Sequence, residues 1–379
     1  MYSRLEPTIF SDEFSYFFFL FGPRFDAVIP LYAEALKKSL GGQWKSIVVY
    51  STHPAKAFVK ENFLIINQNG DEIEKTVGGP VVALQEYEDL NHEFATSSEI
   101  FEIISQLKKK QKKVVIVSFT TAFLDFNDQD IFVVGPDKNL AKRFDSKIAQ
   151  FSLFQELDLP RNKATIFGSQ SDVLAAGIKI LPCYITAAFS SGGNESGLIY
   201  SEKMLKKFFS RLRNINADGA FLVSNIFEGL VLAPNVNALV TAKGKTEIVA
   251  ITDQILRGNR YLGNIFPSIA LPHHRDKIIE ATHLIGDHLA EQGFRGLFGL
   301  DFLINQKGDL VIVDLNPRRQ GGYACNVLAL KSIGIDLVDA EVRTALGEDV
   351  TLGLPKNGMV LSYAWAHSKV KPGDPGQRV

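Results

Sequence analysis

Short apolar runs alternate with amphipathic segments over the first third of the chain. Four runs have the length of buried strands and cover residues 16–21, 46–51, 114–119 and 131–134. Residues 26–40 and 99–107 place apolar side chains three and four positions apart, which is typical of helices packed on one face. Because strands that alternate with helices form a doubly wound parallel sheet, we predict an N-terminal α/β domain of this kind.

The second half of the chain has a different pattern, with strands that follow one another directly. Residues 231–241 and 246–252 predict a β-hairpin, and residues 255–272, rich in Gly, Asn and Pro, predict a loop. Apolar spacing predicts helices at residues 201–211, 276–292, 327–331 and 337–346. It also predicts that Met204 and Leu284 point inward with the apolar residues near them. Strands are predicted at 182–189 and 359–366. This part is therefore an α+β unit with an antiparallel sheet.

One stretch of that unit, residues 296–322, carries most of the candidate chemistry. Two apolar runs flank the polar loop 306–309, which predicts a hairpin in which Asn305 pairs with Leu310. Counting outward places Asp301 opposite Asp314. Side chains alternate between the faces of a sheet, so one face is apolar: Leu300, Phe302, Ile304, Val311, Val313 and Leu315. The other face carries Asp301, Asp314 and Asn316.

Opposed carboxylates at this register would lie roughly 5 Å apart and repel each other. A hard cation held by oxygen ligands would offset the repulsion. Alternatively, the two acidic residues lie on a solvated sheet face and bind no cation. Spacing alone leaves both interpretations open. Arg318 and Arg319 follow the second strand directly and precede Gly321 and Gly322, so anion-binding groups stand beside the candidate cation site.

Composition narrows the function classes. A length of 379 residues predicts two or three domains, and a net charge of −1 gives no reason to expect nucleic acid or an anionic membrane as a partner. Cys183 and Cys325 lie far apart, which predicts free thiols in a reducing, cytoplasmic compartment. The apolar run 14–21 is too short to span a bilayer and lacks the basic flank of a signal peptide. Lysines at 108–113 suit a helix C-terminus.

The order Asp-Phe, turn, Val-Asp-Leu-Asn-Pro-Arg, with glycines after it, resembles the metal-binding hairpin of the ATP-grasp superfamily. The resemblance implies that Mg²⁺, with Mn²⁺ as a substitute, binds Asp301, Asp314 and Asn316. It implies that Arg318 contacts a carboxylate or its acyl phosphate and is the catalytic residue. The substrate contacts implied for the same loop are Arg318, Arg319, Gly321 and Gly322.

The resemblance extends to the nucleotide site. A strand end at Gly135-Pro136 leads to two helical segments, among which Lys147 matches the lysine that reaches the α-phosphate. Ser191, Gly192 and Gly193 fall in a glycine-rich loop similar to the one that covers the triphosphate. Thr186 stands where the family usually has a second lysine. The implied ATP contacts, including the adenine hinge, are Lys147, Thr186, Ser191, Gly192, Gly193, Asn225, Phe227 and Glu228.

These assignments imply three units: a Rossmann-like N-terminal domain at 1–140, a helical segment with a small lid at 141–225, and a C-terminal domain at 226–379 with the metal hairpin. The implied reaction is ATP-dependent joining of a carboxylate to an amine through an acyl phosphate. An ATP-grasp kinase and a nucleotide-binding protein of impaired catalysis, suggested by Thr186, remain alternatives. The implied partners are small molecules. Because dimers are common in the superfamily, the resemblance also allows a homodimer.

Polar residues near the hairpin are further candidates for substrate or metal contacts, and they are Asn235, Asn237, Gln254, Arg257 and Arg260.

Overall fold

The computed structural model describes most of the chain in nine segments. They are residues 10–21, 23–48, 84–111, 113–126, 128–190, 195–212, 219–257, 260–353 and 362–366. Ser191, Gly192 and Gly193 lie outside the described residues, as do residues 49–51 and 359–361, which end and begin two of the predicted strands.

The N-terminal sheet has four parallel strands in the order β2-β1-β3-β4. Its strands are β1 (Ser15–Leu20), β2 (Trp44–Val48), β3 (Val114–Ser118) and β4 (Ile131–Val134). Its helices are α1 (Ile29–Leu40), α2 (Leu84–Thr96) and α3 (Ser98–Lys110), and a 3-10 helix (Pro23–Val28) precedes α1. The predicted doubly wound parallel sheet is confirmed.

Both faces of this sheet are buried, which explains the uninterrupted apolar runs. Phe17 and Phe19 on β1 pack against α1 and against helices from the C-terminal part of the chain. Phe18 and Leu20 point the other way and pack against α2 and α3. Successive residues of one strand therefore serve two separate cores.

A second, small sheet is antiparallel, with strand order β5-β8-β6-β7. Its strands are β5 (Ala164–Phe167), β6 (Cys183–Ala187), β7 (Ser196–Ile199) and β8 (Phe221–Ser224). Helices α6 (Gln170–Ala176) and α7 (Glu202–Leu212) cover one face, where Leu205 and Phe208 are buried. Ser201 accepts a hydrogen bond from the main-chain N–H of Met204 at the start of α7. Met204 is 40% exposed, so its predicted inward position is wrong.

The C-terminal sheet has seven strands in the order β14-β13-β10-β11-β12-β15, with β9 paired to β13. They are β9 (Leu230–Leu232), β10 (Pro234–Val240), β11 (Thr246–Arg257), β12 (Arg260–Phe266), β13 (Gly296–Asn305), β14 (Leu310–Asn316) and β15 (Tyr363–Ala366). The predicted loop over 255–272 is wrong for most of its length, because β11 and β12 pair through it. Asn264 in this range is 5% exposed and donates to Thr252 on the neighbouring strand.

One face of the C-terminal sheet packs against α8 (Pro272–Glu291), through Ile278, Ile285 and Leu289. Leu284 is 42% exposed and lies outside this contact, against expectation. Helices α4 (Lys138–Asp145) and α5 (Lys147–Glu156) contact the edge strand β14. Among the described residues, no helix is both long enough and apolar enough to cross a membrane.

Helices α9 (Tyr323–Ser332) and α10 (Leu337–Ala345) leave the C-terminal sheet and pack on the N-terminal sheet. Val327 and Val338 share a core with Phe17 and Leu36. The segment between β14 and α9, which carries Arg318 and Arg319, therefore lies where the two large sheets meet.

Candidate functional site

The hairpin β13–β14 brings two aspartates face to face. Asp301 and Asp314 are directly paired across the strands, as the sequence predicts. The route to this pairing differs, however, because Ile304 rather than Asn305 pairs with Leu310. The Asn305 side chain instead accepts hydrogen bonds from the main-chain N–H groups of Lys307 and Asp309, at 3.0 and 2.9 Å, and so stabilises a longer turn.

A β-bulge at Val313 compensates for the longer turn. Phe302 pairs with Ile312 and Asp301 with Asp314, so β14 has one extra residue between these pairs. Val313 is 38% exposed, so its predicted position in the apolar face is wrong, whereas Ile312 is buried in the core. Without the bulge, the one-residue shift of the turn would move Asp314 out of register with Asp301.

The two carboxylates have different partners. Lys147 forms an ion pair with Asp314 Oδ1, and its side chain is 9% exposed. Asp301 is bonded by neutral amides: Asn235 Nδ2 donates to its Oδ1 at 2.5 Å, and Asn316 Nδ2 approaches its Oδ2 at 3.5 Å. Gln254 is a third amide partner of the Asp301 carboxylate. Burial and the facing Asp314 carboxylate raise the pKa of Asp301 to about 6, and the Asn235 and Gln254 hydrogen bonds oppose that rise.

Lys147 reaches Asp314 because α5 is fixed against β14. Gln150, one turn into α5, donates from Nε2 to the main-chain oxygens of Phe144 and Leu315, at 2.8 and 2.6 Å. Its Oε1 accepts from Leu315 N–H at 3.1 Å. No local pattern indicates this role, because a glutamine on a helix is ordinarily solvated.

Arg318 lies beside a buried acid. Its guanidinium is 3.6 Å from Asp145 Oδ1, and each side chain is 10% exposed. Burial raises the pKa of Asp145, and the nearby Arg318 and Lys147 oppose that rise. The Nε atom of Arg318 is buried and has no hydrogen-bond partner among the described residues. The Arg318 guanidinium therefore retains donor capacity for an anion.

Two threonines near Arg318 also have buried polar atoms without hydrogen-bond partners among the described residues. Thr121 Oγ1 and Thr344 Oγ1 are buried and lack partners among the described residues, and both line a cavity with Arg318 and Gly135. This cavity lies between the ends of β3 and β4 and the segment after β14. Buried donors without partners are costly, so a polar occupant would stabilise them.

Arg319 also lines this cavity, but its side chain is held by protein groups, and its substrate contact stays a prediction. Its side chain is 3% exposed, with Nε 3.1 Å from Glu341 Oε1. It donates to Tyr32 Oη and to the main-chain oxygens of Ser118 and Val134, at 3.1, 2.5 and 3.2 Å. Both carbonyls end strands of the N-terminal sheet. Arg319 therefore connects this sheet to the segment that carries Arg318.

The small sheet contributes an open face near Lys147. Thr186 is 8% exposed, and its hydroxyl is 2.8 Å from that of Ser190. Tyr184 donates to Ser196 Oγ at 2.7 Å. Burial raises the pKa of Tyr184, and the hydrogen bond with Ser196 and the charge of Lys147 oppose that rise. On the same face, Ile166 on β5 and Leu198 on β7 are 43% and 40% exposed.

The predicted adenine hinge joins the small sheet to the C-terminal sheet. Asn225, Phe227 and Glu228 lie between β8 and β9, with Phe227 half-buried and the other two exposed. Gly229 O accepts from Gln306 N–H at 2.8 Å, which fixes the end of this segment to the β13–β14 turn. Their adenine contacts stay predictions.

Gly321 and Gly322 form the turn before α9, with little room around them. A Cβ on Gly321 would lie 2.9 Å from Tyr261 Cε1, and one on Gly322 would lie 3.4 Å from Asn264 Oδ1. Asn235, Asn237 and Gln254 lie near Asp301 as predicted, whereas Arg257 is exposed at the end of β11.

The donor set fits a hard divalent cation. Three carboxylates, on Asp145, Asp301 and Asp314, face two cationic side chains, so one negative charge remains in a mostly buried site. The side-chain oxygens of Asp301, Asp314 and Asn316 are the ligand type that Mg²⁺ and Mn²⁺ prefer. The described residues contain no cluster of three or more His, Cys, Asp or Glu that suits a metal, so any cation here relies on the amide.

Both cysteines are free thiols. Cys183 is buried in the small sheet and Cys325 is half-buried on α9. Burial raises the pKa of each thiol to about 11, which leaves them protonated and unreactive at neutral pH.

Comparison with known proteins identifies the fold. Residues 198–322 match the family model described as an ATP-grasp domain. The biotin carboxylase-beta-gamma-ATP complex from Campylobacter jejuni superposes with a TM-score of 0.63 over 89% of this chain and 72% of that chain, at 16% identity. Carboxyaminoimidazole ribonucleotide synthase from Aspergillus clavatus, complexed with ATP, superposes with a TM-score of 0.57 over 90% of this chain and 79% of that chain, at 11% identity. The chain therefore has the ATP-grasp fold.

Among curated proteins, L-propargylglycine–L-glutamate ligase of Streptantibioticus cattleyicolor is 29% identical over 124 residues. The match covers 33% of this chain and 25% of that protein. The chain thus spans about a quarter of the length of this relative.

Proposed function

Taking this chain as a member of the ATP-grasp superfamily, we propose that it is an ATP-dependent ligase that joins a carboxylate to an amine through an acyl phosphate and releases ADP and phosphate. The observation that carries the proposal is the pairing of Asp301 with Asp314 across the hairpin, with Lys147 bonded to Asp314 and Arg318 on the segment that follows. The match to an ATP-grasp domain supports a nucleotide as the ligand of these residues. ATP and Mg²⁺ are the cofactors of the proposal, with Mn²⁺ as a substitute.

The nucleotide would lie between the open face of the small sheet and the C-terminal sheet. Ile166 and Leu198 offer exposed apolar surface for a base, and Lys147 offers a cation to the phosphates. Thr186 and Ser190 offer hydroxyls where a charged side chain is usual in the superfamily. ATP affinity in this chain therefore depends more on Lys147 than it does where two lysines act together.

Asp301, Asp314 and Asn316 would hold Mg²⁺, which supplies charge neutralisation when two anions must meet. Lys147 forms an ion pair with Asp314. Binding of a divalent ion there would release the ammonium group, which is then available to a phosphate oxygen. A cation on Asp314 and a phosphate on Lys147 would thus replace this ion pair.

Arg318 would bind the carboxylate substrate. A planar guanidinium donates two parallel hydrogen bonds to a carboxylate, and the same donors stabilise the charge that develops on the acyl oxygens. The Asp145 carboxylate, 3.6 Å away, orients Arg318 without saturating it. The hydroxyls of Thr121 and Thr344 line the adjoining cavity and are suited to a second oxygen of the same group.

The test is release of phosphate and ADP from MgATP in the presence of paired carboxylic acids and amines. L-Glutamate with other amino acids is the first panel, because the ligase relative is named for L-glutamate. A ligase releases phosphate only when both partners are present and forms a new amide detectable by mass spectrometry.

Asp314→Ala should abolish turnover, and Asp309→Ala, in the exposed turn of the same hairpin, should leave it intact. Normal turnover by Asp314→Ala would refute the proposal. ADP formation with a phosphorylated hydroxyl product would identify a kinase instead. A cytoplasmic location and a homodimer are further predictions for this chain.

A further inference from the structure

Buried polar side chains form a continuous row on the C-terminal sheet, and the row ends at Asp301. Asn235 on β10 pairs with Asp301 on β13, and Thr252 on β11 pairs with Asn235. Asn264 on β12 lies diagonally from Thr252 on the same face. Asn235, Thr252 and Asn264 are 4%, 1% and 5% exposed. A buried polar row of this length in a sheet core requires a reason, since apolar side chains would pack there without such hydrogen bonds.

The hydrogen bonds that link the members of the row run toward Asp301, although Asn235 Nδ2 also lies 3.2 Å from Gln320 Oε1. The Tyr261 hydroxyl donates to Asn264 Oδ1. Asn264 Nδ2 donates to Thr252 Oγ1 at 2.7 Å, and Thr252 Oγ1 lies 3.3 Å from both Asn235 Oδ1 and Asn235 O. Asn235 Nδ2 then donates to Asp301 Oδ1 at 2.5 Å. Hydrogen bonds aligned in one direction polarise each other, so the last donor, to the carboxylate, is strengthened.

Backbone irregularity is what brings Tyr261 into the row. Ile255 pairs with Gly263 and Leu256 with Tyr261, so β12 has one extra residue, Leu262, at this point. In a regular strand, residues three apart lie on opposite faces, and Tyr261 would point away from Asn264. The bulge turns Tyr261 onto the face of Asn264. Bulges of this kind commonly re-aim side chains beside functional sites.

The far end of the row lies at the turn that follows Arg318. The Tyr261 ring lies so close to Gly321 that a Cβ on this glycine would be 2.9 Å from the ring edge. The row therefore spans the sheet from the turn 321–322 to the candidate cation site.

We propose that Asn235, Thr252, Asn264 and Tyr261 act as positioning residues, which hold the Asp301 carboxylate in the orientation that binds the divalent cation and couple it to the turn at Gly321. The inference rests on the proposed function, because it takes Asp301 as a cation ligand. Neutral donors suit this role, since a cationic partner in place of Asn235 would compete with the metal for Asp301.

A purely structural role makes a different prediction. If the row only satisfies buried polar groups, breaking it costs stability and leaves cation affinity unchanged. If it orients Asp301, breaking it lowers cation affinity by about 10–100-fold, which is the usual effect of removing a partner of a metal ligand. Cation affinity therefore separates the two roles, whereas stability alone does not.

Thr252→Val is the test variant, because it removes the central hydroxyl and nearly keeps the side-chain shape. Thr282→Val is its matched control: Thr282 is 0% exposed and its hydroxyl donates to Ile278 O at 2.7 Å within α8, away from the row. Mn²⁺ is titrated into each nucleotide-free protein, and free Mn²⁺ is measured by electron paramagnetic resonance. Thermal melting is recorded in parallel, and Asp301→Ala serves as the reference for loss of the site.

We expect Thr252→Val to weaken Mn²⁺ binding by about tenfold or more, with Thr282→Val close to wild type although both lose stability. Should Thr252→Val fail to fold, Tyr261→Phe, which removes only the terminal hydroxyl, is expected to weaken Mn²⁺ binding by about threefold. If these row variants bind Mn²⁺ as tightly as wild type while Asp301→Ala does not, the inference is overturned and the proposed function is unaffected. Equal binding, or none, by wild type and Asp301→Ala overturns the cation site and the inference with it.

Discussion

Replacing Arg319 by methionine should destabilise the protein strongly, although the sequence assigns this residue to the substrate. The Arg319 guanidinium pairs with Glu341, and both side chains are 3% exposed. Its ring neighbours are Phe21, Tyr32 and Tyr323, at 5.3, 5.8 and 5.5 Å from the guanidinium carbon. Methionine fills much of this volume but supplies neither the charge nor the donors.

The magnitude follows from what the substitution leaves behind. Glu341 would remain buried with only the Tyr32 and Tyr323 hydroxyls as donors. Removing one partner of a buried ion pair costs about 3–5 kcal/mol, because the other charge is left uncompensated. The carbonyls of Ser118 and Val134 also lose donors, so the upper part of that range is expected.

Urea unfolding, followed by circular dichroism, measures the effect, and Arg343→Met is the matched control. Arg343 also pairs with a glutamate, Glu348, at 2.8 Å, but the two side chains are 36% and 47% exposed. Exposed pairs contribute about 0–1 kcal/mol, so the control should shift the unfolding midpoint little. Adding Glu341→Gln to Arg319→Met should restore part of the lost stability, because it removes the stranded charge.

A stable Arg319→Met protein with a raised KM for the carboxylate would refute this reasoning and restore the substrate role. Equal destabilisation by Arg319→Met and Arg343→Met would refute the argument from burial.

Three further predictions concern the site. Burial and the Asp314 carboxylate raise the pKa of Asp301 from its ordinary value of 3.8 to about 6, so this group stabilises the folded state below pH 4 and that contribution is lost as the pH rises through 6. Asp301→Asn should therefore stabilise the metal-free protein at pH 7 by up to about 3 kcal/mol and have little effect below pH 4; thermal melts in chelator that show no gain at pH 7 would contradict it. Thr186→Lys should tighten ATP binding by about tenfold in calorimetry, because it adds a charged donor, and unchanged affinity would place Thr186 away from the phosphates. Gln150→Leu should cost about 2–3 kcal/mol and raise the KM for ATP, since it frees α5 and Lys147 from β14, whereas an unchanged KM would show that the ion pair alone positions Lys147.

Much of the fold was predictable because the chain follows local rules. The parallel N-terminal sheet follows from apolar runs buried on both faces, and the helix cap at Ser201 follows from residue type. The pairing of Asp301 with Asp314 was also predicted correctly, although two deviations of one residue, at the turn and at Val313, cancelled. Sequence spacing cannot reveal such a cancellation. The longer turn and the bulge at Val313 each shift the strand pairing by one residue, and neither shift is visible in the pattern of apolar and polar residues.

The errors arise where long-range contacts override local pattern. Arg319 follows Arg318 directly, and nothing local indicates that its guanidinium pairs with Glu341 among aromatic rings from α1 and α9. The polar composition of β12 predicts a loop, whereas Asn264 lies in the sheet and donates to Thr252 on the neighbouring strand β11. The roles of Gln150, Tyr184 and Asp145 depend equally on residues distant in sequence.

The Gln150 contacts have a mechanical consequence. They make α5 part of the same rigid body as β14, so Lys147 would stay with Asp314 whenever the small sheet rotates relative to the rest. The Lys147 main-chain N–H nevertheless bonds Ala188 O, just beyond β6, at 2.7 Å. The first residue of α5 therefore contacts the small sheet through its main chain and Asp314 through its ammonium group. A shift of the small sheet would act on the main chain of Lys147, while the Gln150 contacts would hold α5 against β14 and keep the ammonium group beside Asp314.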